Sequence, residues 1–484
     1  MRILKPFALA AMLAWLPAQA QLPQPVTALL AASGIPEDAM GVLVLRGDTT
    51  LISHLAERPM QPASTMKLVT TLVGLEQLGP VFRGRTELRT SGVQERDVLH
   101  GDVILRGGAD TDFDGEALRH MLQALRNQGI RKIDGRLVLD RQLFNPARMD
   151  LGVRPFDESP DAYYNVIPDA LMVNKNMLLL DLRSDGNRLR PAMQPPLDDV
   201  SVESGMTLVD AQCASWEDGW KQPLVVRRNG KIKVVLQGTF PKHCVSANSI
   251  NVLDRQDYLD RLFRKLWDEL GGKLLGDTVE GVAPKEARLL AEHVSRALPE
   301  VVRDINKPSD NTLARTLFLS LGSLEADPML GSRPLAPSAQ TTFARADLAV
   351  RDWMRRQGID DNGLVMENGS GLSRLEKISP YQMALLLQAG LRSNWSPEFL
   401  ASLPIVGVDG TMRRRLKDSP AAQRARLKTG TLKNVVAVAG YVYDAKGQPC
   451  VVAAMMNSDL AGDGRGRAVL DALVDWIARS GAQP

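Results

Sequence analysis

Histidine, cysteine and aromatic residues are sparse: five His, three Cys and 5% Phe, Trp and Tyr in 484 residues. The histidines, His54, His100, His120, His243 and His293, have no partner at a suggestive spacing. Neither HExxH nor CxxC occurs, so a zinc protease and a thiol redox centre find no support. Ser370 lies in NGSGL with Asn368 two positions before it, so the GxSxG elbow of α/β-hydrolases is missing, and a Ser-His-Asp enzyme fits poorly. An excess of one charge is lacking too. Lys plus Arg number 59 against 56 Asp plus Glu, and the resulting net +3 argues against a nucleic-acid protein. Beyond the N-terminus no apolar run is long enough to span a bilayer, so no transmembrane segment is expected.

The remainder is globular in composition, 44% hydrophobic and 24% charged, and long enough to require two or more domains. Arg2 and Lys5 precede an apolar run from Pro6 to Leu16, followed by Ala18-Gln19-Ala20. This pattern reads as a signal peptide over residues 1–20, cleaved after Ala20, which places the mature chain outside the cytoplasm. No Cys follows that point, so lipid attachment is not expected. An oxidising compartment permits a disulfide. Cys213 and Cys244 flank one β-rich segment and are expected to pair, whereas Cys450 opens the apolar run CVVAAMMN and reads as a buried free thiol.

Along the chain, Met40–Arg46 and Thr50–Leu55 read as a hairpin around Gly47-Asp48, and Ser64–Leu78 as a helix apolar around most of its circumference. From about residue 90 to 250 short strand-like runs dominate, with Asn229-Gly230 as a two-residue hairpin turn and one helical stretch over Glu116–Asn127. Helical patterns return at Tyr258–Leu270, Leu289–Ala297, Thr312–Leu321, Phe343–Gln357 and Pro380–Leu391. Strands at Arg426–Leu432, Val435–Tyr443 and Cys450–Met456 precede a last amphipathic helix, Arg467–Arg479, expected to pack on a sheet. The class is α/β: an antiparallel sheet joins the N-terminal hairpin to the C-terminal strands, helices flank it, and a β-rich region is inserted.

Three short motifs carry chemistry. Ser64-Thr65-Met66-Lys67 places Ser64 and Lys67 on one helical face. A serine hydroxyl needs a base, and a neutral lysine within hydrogen-bond reach supplies one if its pKa falls from ~10.4 by roughly three units, at about 4–5 kcal/mol. Ser309-Asp310-Asn311 precedes a helical run, where one of its side chains would serve as an ordinary cap. Lys428-Thr429-Gly430-Thr431 lies on a strand, where Gly430 would let a peptide approach and Lys428 and Thr429 would hold a terminal carboxylate. Each motif alone has a bland explanation. In this order, each on the element its chemistry requires, they form the signature of class A β-lactamases and penicillin-binding proteins.

With ENGSGLSR at Glu367–Arg374, VDGTMRRRL at Val408–Leu416 and KTGTLKNVVAVAGYV at Lys428–Val442, the chain resembles the low-molecular-mass penicillin-binding proteins of the D-alanyl-D-alanine carboxypeptidase/endopeptidase family, peptidase family S13. The resemblance implies a transpeptidase-like domain over 21–90 and 255–484, a first inserted domain over 91–170 and 246–254, and a nested one over 171–245. It implies acylation of Ser64 with Lys67 as base, a proton relay through Ser309, and Asn311, with Asp310 beside it, against the substrate. Lys428 and Thr429 would bind the terminal carboxylate, Gly430 and Thr431 would belong to the same substrate-binding strand, and the amides of Ser64 and Thr431 would form the oxyanion hole. Peptidoglycan peptides would be the substrates and β-lactams covalent inhibitors, in the periplasm, with no metal or organic cofactor. Arg315 in TLART departs from the acidic residue frequent in relatives. Asp161 is a candidate stem-peptide contact, while Tyr163 and Tyr164 read equally as core. A β-lactamase would need a water-activating Glu, and no ExxLN-like segment follows Ser309. A wall-binding or β-lactam-sensing module without turnover is the other alternative.

Overall fold

The computed structural model describes residues 21–481. The signal peptide expected over 1–20 lies outside them. Strand Met40–Arg46 turns at Gly47, whose φ of +54 favours glycine, into Thr49–His54. On its other side it pairs antiparallel with Pro449–Asn457, from Met40↔Met456 to Arg46↔Cys450. Val435–Tyr443 and then Arg426–Leu432 extend the sheet, which is antiparallel throughout and ends on the KTG strand as an edge.

Its central strands are apolar on both faces, and alternate residues enter different cores. Val436, Val438 and Val442 join Val469, Leu473 and Ile477 of the terminal helix Arg465–Arg479, which packs on the sheet. Ala437, Ala439 and Tyr441 face the other way, toward Leu68 and Leu72 of helix Lys67–Leu78 and toward helices Asn311–Leu321 and Pro380–Arg392.

The expected helix Ser64–Leu78 divides in two. Ala63–Met66 form a 3₁₀ turn and the α-helix begins at Lys67. The tighter winding matters, because residues three apart eclipse in a 3₁₀ turn and Ser64 is thereby brought over Lys67.

Between these elements lies the β-rich region. One five-stranded sheet carries Arg85–Thr90, Val103–Gly108, Leu137–Asp140, Thr278–Glu280 and Arg288–Val294. Smaller sheets follow, and helices Gly115–Asn127 and Arg255–Glu269 share with them a second core. The two-residue turn occurs as expected, with φ of +50 at Asn229 and +75 at Gly230 between strands Trp220–Arg228 and Lys231–Pro241. Cys213 and Cys244 are bonded to each other with Cα atoms 5.2 Å apart, and Cys450 is a buried free thiol.

Two expectations need correction. Leu289–Ala297 is not helical: Arg288–Val294 is a strand paired with Arg85–Thr90. Its Leu, Ala and Glu favour a helix, but a waiting sheet edge outweighs propensity. The chain also does not return to the first core at residue 255, since Tyr258, Leu262, Phe263 and Trp267 are buried in the second.

Candidate active site

The three motifs converge where the Ser64 turn, the start of helix Asn311–Leu321 and the edge strand meet. Lys67 is fully buried, and its Nζ lies 3.0 Å from Ser64 Oγ, 2.6 Å from Asn311 Oδ1 and 2.6 Å from the Ser370 carbonyl. Burial lowers the Lys67 pKa from 10.5 to about 7, with Arg315 assisting and the carboxylates of Glu376 and Asp310 opposing. Holding the amine there costs about 4–5 kcal/mol relative to water. The donor count then becomes informative. A neutral amine has two N–H groups, which Asn311 Oδ1 and the Ser370 carbonyl accept, leaving its lone pair for the Ser64 hydroxyl. Ser64 O–H can therefore donate to Lys67, as general-base activation requires.

Lys428 is the second buried lysine. Its Nζ donates to Ser309 Oγ at 2.8 Å and to the Thr429 carbonyl at 2.9 Å. Burial and the nearby Lys67 push its pKa well below the usual lysine value. Ser309 sits at φ +68, a left-handed conformation uncommon for a side-chain-bearing residue, and Ala63 beside the nucleophile candidate sits at +45. Such backbone strain concentrates at functional sites. Thr429 Oγ1 donates to Thr411 Oγ1 at 2.8 Å, bringing in the VDGT segment.

Gly430 has a steric reason beyond the one read from sequence. A Cβ there would lie 2.5 Å from the Pro62 carbonyl and 3.1 Å from Ser64 N, so glycine lets the edge strand lie against the serine turn itself. Thr431, one residue on, is exposed. Asp310 is already engaged: Oδ1 accepts the Leu313 N–H at 2.9 Å as a helix cap, and Oδ2 is 2.6 Å from Lys175 Nζ.

Asn311 Nδ2 donates to the Tyr164 carbonyl at 3.0 Å, so the inserted region reaches the site. Tyr163 is 65% exposed and is therefore not core, whereas Tyr164 donates its hydroxyl to Asp157 at 2.8 Å. Beside Arg315 and Asn368 a cavity of about 640 Å³ is lined by Asp161, Glu367 and Arg374 among others. Another cavity, of about 900 Å³, lies in the inserted region around Phe113 and His293 and is bordered by Lys175, the partner of Asp310.

The turn 367–371 contains the NGSGL segment whose serine lacks a GxSxG setting. Ser370 is fully buried and its hydroxyl donates to Asn368 Oδ1 at 2.6 Å, so it contributes its carbonyl and not a nucleophile. Gly371 has φ +81, and a Cβ on it would lie 1.8 Å from the Ala63 carbonyl. Two glycines in four residues were the available sequence signal of such a close approach.

The geometry invites comparison with known proteins. D-alanyl-D-alanine carboxypeptidase DacB of Haemophilus influenzae is 27% identical over 84% of this chain and 82% of its own length. The crystal structure of penicillin binding protein 4 (dacB) from Haemophilus influenzae matches with a TM-score of 0.76 at 25% identity, covering 93% of this chain and 97% of that one. A second crystal structure of that name, complexed with a β-lactam, matches with a TM-score of 0.71 at 25% identity over 93% and 97% of the two chains. The model of the D-Ala-D-Ala carboxypeptidase 3 (S13) family matches residues 22–480, nearly the whole described chain, and the protein belongs to that family.

Proposed function

We propose that this chain is a serine-type D-Ala-D-Ala carboxypeptidase, with D,D-endopeptidase action on cross-linked stem peptides, working through an acyl-Ser64 intermediate. The observation that carries the reading is the buried Lys67 amine, whose two N–H groups have acceptors while Ser64 Oγ stands at 3.0 Å.

Ser64 Oγ attacks the carbonyl of the penultimate D-alanine and its proton passes to Lys67. The C–O bond forms as the carbonyl becomes an oxyanion, held by the amides of Ser64 and Thr431. The intermediate then expels the terminal D-alanine amine, which takes a proton through Ser309. Lys428, with Thr429, holds the terminal carboxylate at the edge strand, where Gly430 keeps the strand close to the serine turn. Asn311 orients both Lys67 and the substrate backbone. Asp310 is the weakest of these substrate contacts, because both of its oxygens have partners in the protein. Water, deprotonated by Lys67, hydrolyses the ester and restores Ser64.

Peptidoglycan peptides are the proposed substrates, with the cavity beside Asp161 and Arg374 taking part of the stem. The β-lactam complex of the matched relative supports β-lactam binding, and attack by Ser64 on the lactam carbonyl would make these compounds covalent inhibitors. We place the mature protein in the periplasm after cleavage at Ala20. Among the described residues no helix is long and apolar enough to cross a membrane. The proposed domain division keeps a transpeptidase-like domain and two inserted domains, with the return moved from residue 255 to about 295, where strand Arg288–Val294 ends.

Intact mass after brief exposure to penicillin, with Ser64→Ala alongside, tests the mechanism. A one-to-one adduct that the variant lacks is expected. No adduct with the penicillin left intact would favour a module without turnover, and rapid destruction of penicillin would favour a β-lactamase.

A further inference from the structure

Glu376 is completely buried, yet no cationic group lies within salt-bridge distance of it among the described residues. Its partners are backbone amides. Oε1 accepts from the N–H groups of Glu367, Asn368 and Gly369 at 3.1, 2.9 and 2.8 Å, and Oε2 accepts from Gly371 at 2.7 Å. All four are donors, so they require an acceptor on both oxygens, as a carboxylate provides and an amide does not. The same turn delivers the Ser370 carbonyl to Lys67 Nζ at 2.6 Å, and Thr70 Oγ1 binds the Gly369 carbonyl at 2.6 Å. The carboxylate thus shapes the turn that touches the lysine.

Arg315 comes from the Asn311 helix and lines the same cavity as Glu367 and Asn368 of the Glu376 turn. It stands one helical turn after Asn311, so the two share a helix face. Asn311 donates to the Tyr164 carbonyl and Arg315 Nη1 to the Val166 carbonyl at 2.9 Å, while Arg315 Nε has no partner. Burial lowers the Arg315 pKa to about 10, which leaves it charged at neutral pH.

We infer that Glu376 and Arg315 are positioning residues for Lys67: Glu376 fixes the turn that aims the Ser370 carbonyl at its amine, and Arg315, one helical turn beyond the Asn311 that binds the same amine, supplies the opposing charge. The inference rests on Lys67 being the base. The other charged groups facing Lys67 are Asp310, at the start of the Asn311 helix, and Lys428, on the edge strand. Glu367, on the Glu376 turn, has its pKa raised by burial and by Glu376. Removing the Glu376 charge disfavours the protonated amine. Removing the Arg315 charge favours it.

The test is the pH dependence of penicillin acylation, followed by intact mass, for wild type, Glu376→Gln, Arg315→Gln and Arg315→Lys. Acylation rises as Lys67 loses its proton. The limb is expected to move to lower pH in Glu376→Gln, with at least a tenfold slower rate, and to higher pH in Arg315→Gln. Arg315→Lys keeps the wild-type position because it keeps the charge. Unmoved limbs, or displacement of both glutamine variants in one direction, overturn the inference. If Glu376→Gln does not fold, Arg315→Gln decides alone, and a limb that stays in place refutes the proposal. A wild type without such a limb, or without a Ser64 adduct, overturns the base assignment and this inference together. A wild-type limb with unresponsive variants overturns this inference only.

Discussion

Lys175 Nζ lies 2.6 Å from Asp310 Oδ2, so the carboxylate that caps the Asn311–Leu321 helix also ties it to the inserted region. Lys175 is presented by a turn in which Asn174, Lys175 and Asn176 all have positive φ, at +50, +53 and +55. Three successive left-handed residues with side chains are costly, and such turns persist where surrounding contacts over-determine them. The pair is partly exposed, so Lys175→Ala should lower global stability by no more than about 1 kcal/mol. Acylation by penicillin should slow several-fold, because Asn311 loses its anchored helix start. Urea denaturation beside adduct kinetics separates the two effects, and an unchanged acylation rate would show that the tie is ornamental.

Since burial brings the Lys67 pKa to about 7, acylation should increase as pH rises through that value and level off above it. The sign follows from the role, because only the neutral amine accepts the Ser64 proton. Lys67→Ala should form the adduct about 10²–10⁴-fold more slowly at every pH and lose this limb. Stopped-flow or quenched mass measurements from pH 5 to 9 would check it, and a limb that survives in Lys67→Ala would assign the titration elsewhere.

Gly371→Ala should cost about 2–4 kcal/mol, combining a left-handed backbone with a clash against the Ala63 carbonyl. Chemical denaturation measures the loss. The turn is also what aims Ser370 at Lys67, so activity in the folded fraction should fall as well.

Oxidised protein should incorporate one alkylating group per chain, at Cys450, and only after unfolding, since Cys450 is the buried free thiol. The bridge closes a loop over a sequence separation of 31, which corresponds to about 3–4 kcal/mol in the chain-entropy picture. Cys213→Ala/Cys244→Ala should therefore lower the melting of the β-rich region. Mass spectrometry of alkylated protein gives the count, and calorimetry gives the stability.

Sequence was most informative where pattern and burial agree. Val435–Tyr443 was legible to the residue, because a continuous apolar run between turn signals leaves little else for a chain of that length to do. The three motifs were equally legible as text, but text does not say which atoms meet. That the Ser370 carbonyl is a partner of Lys67, or that Glu376 organises its turn, depends on backbone atoms every residue possesses. Arg288–Val294 failed for the opposite reason: its local preference was clear, and a strand distant in sequence overruled it. The end of the β-rich region was misread with it, since helix Arg255–Glu269 has an amphipathic stripe that suits either core.

Strand Met40–Arg46 finds its neighbour in Pro449–Asn457, so the central sheet joins the two extremes of the described chain. During synthesis the N-terminal hairpin has one strand edge without a partner until the last segments arrive, and an open edge invites pairing with other chains. Arg85–Thr90 pairs with Arg288–Val294 across the whole β-rich region, so that region can clasp its own two ends before the sheet is complete. Once clasped, it acts as a short staple in place of a long flexible loop, which reduces the entropy lost when the hairpin meets its late partner. The insertion thereby becomes a folding aid to the sheet that it interrupts. Changes that loosen the clasp should appear first as aggregation of newly made chains, before any defect in the finished enzyme.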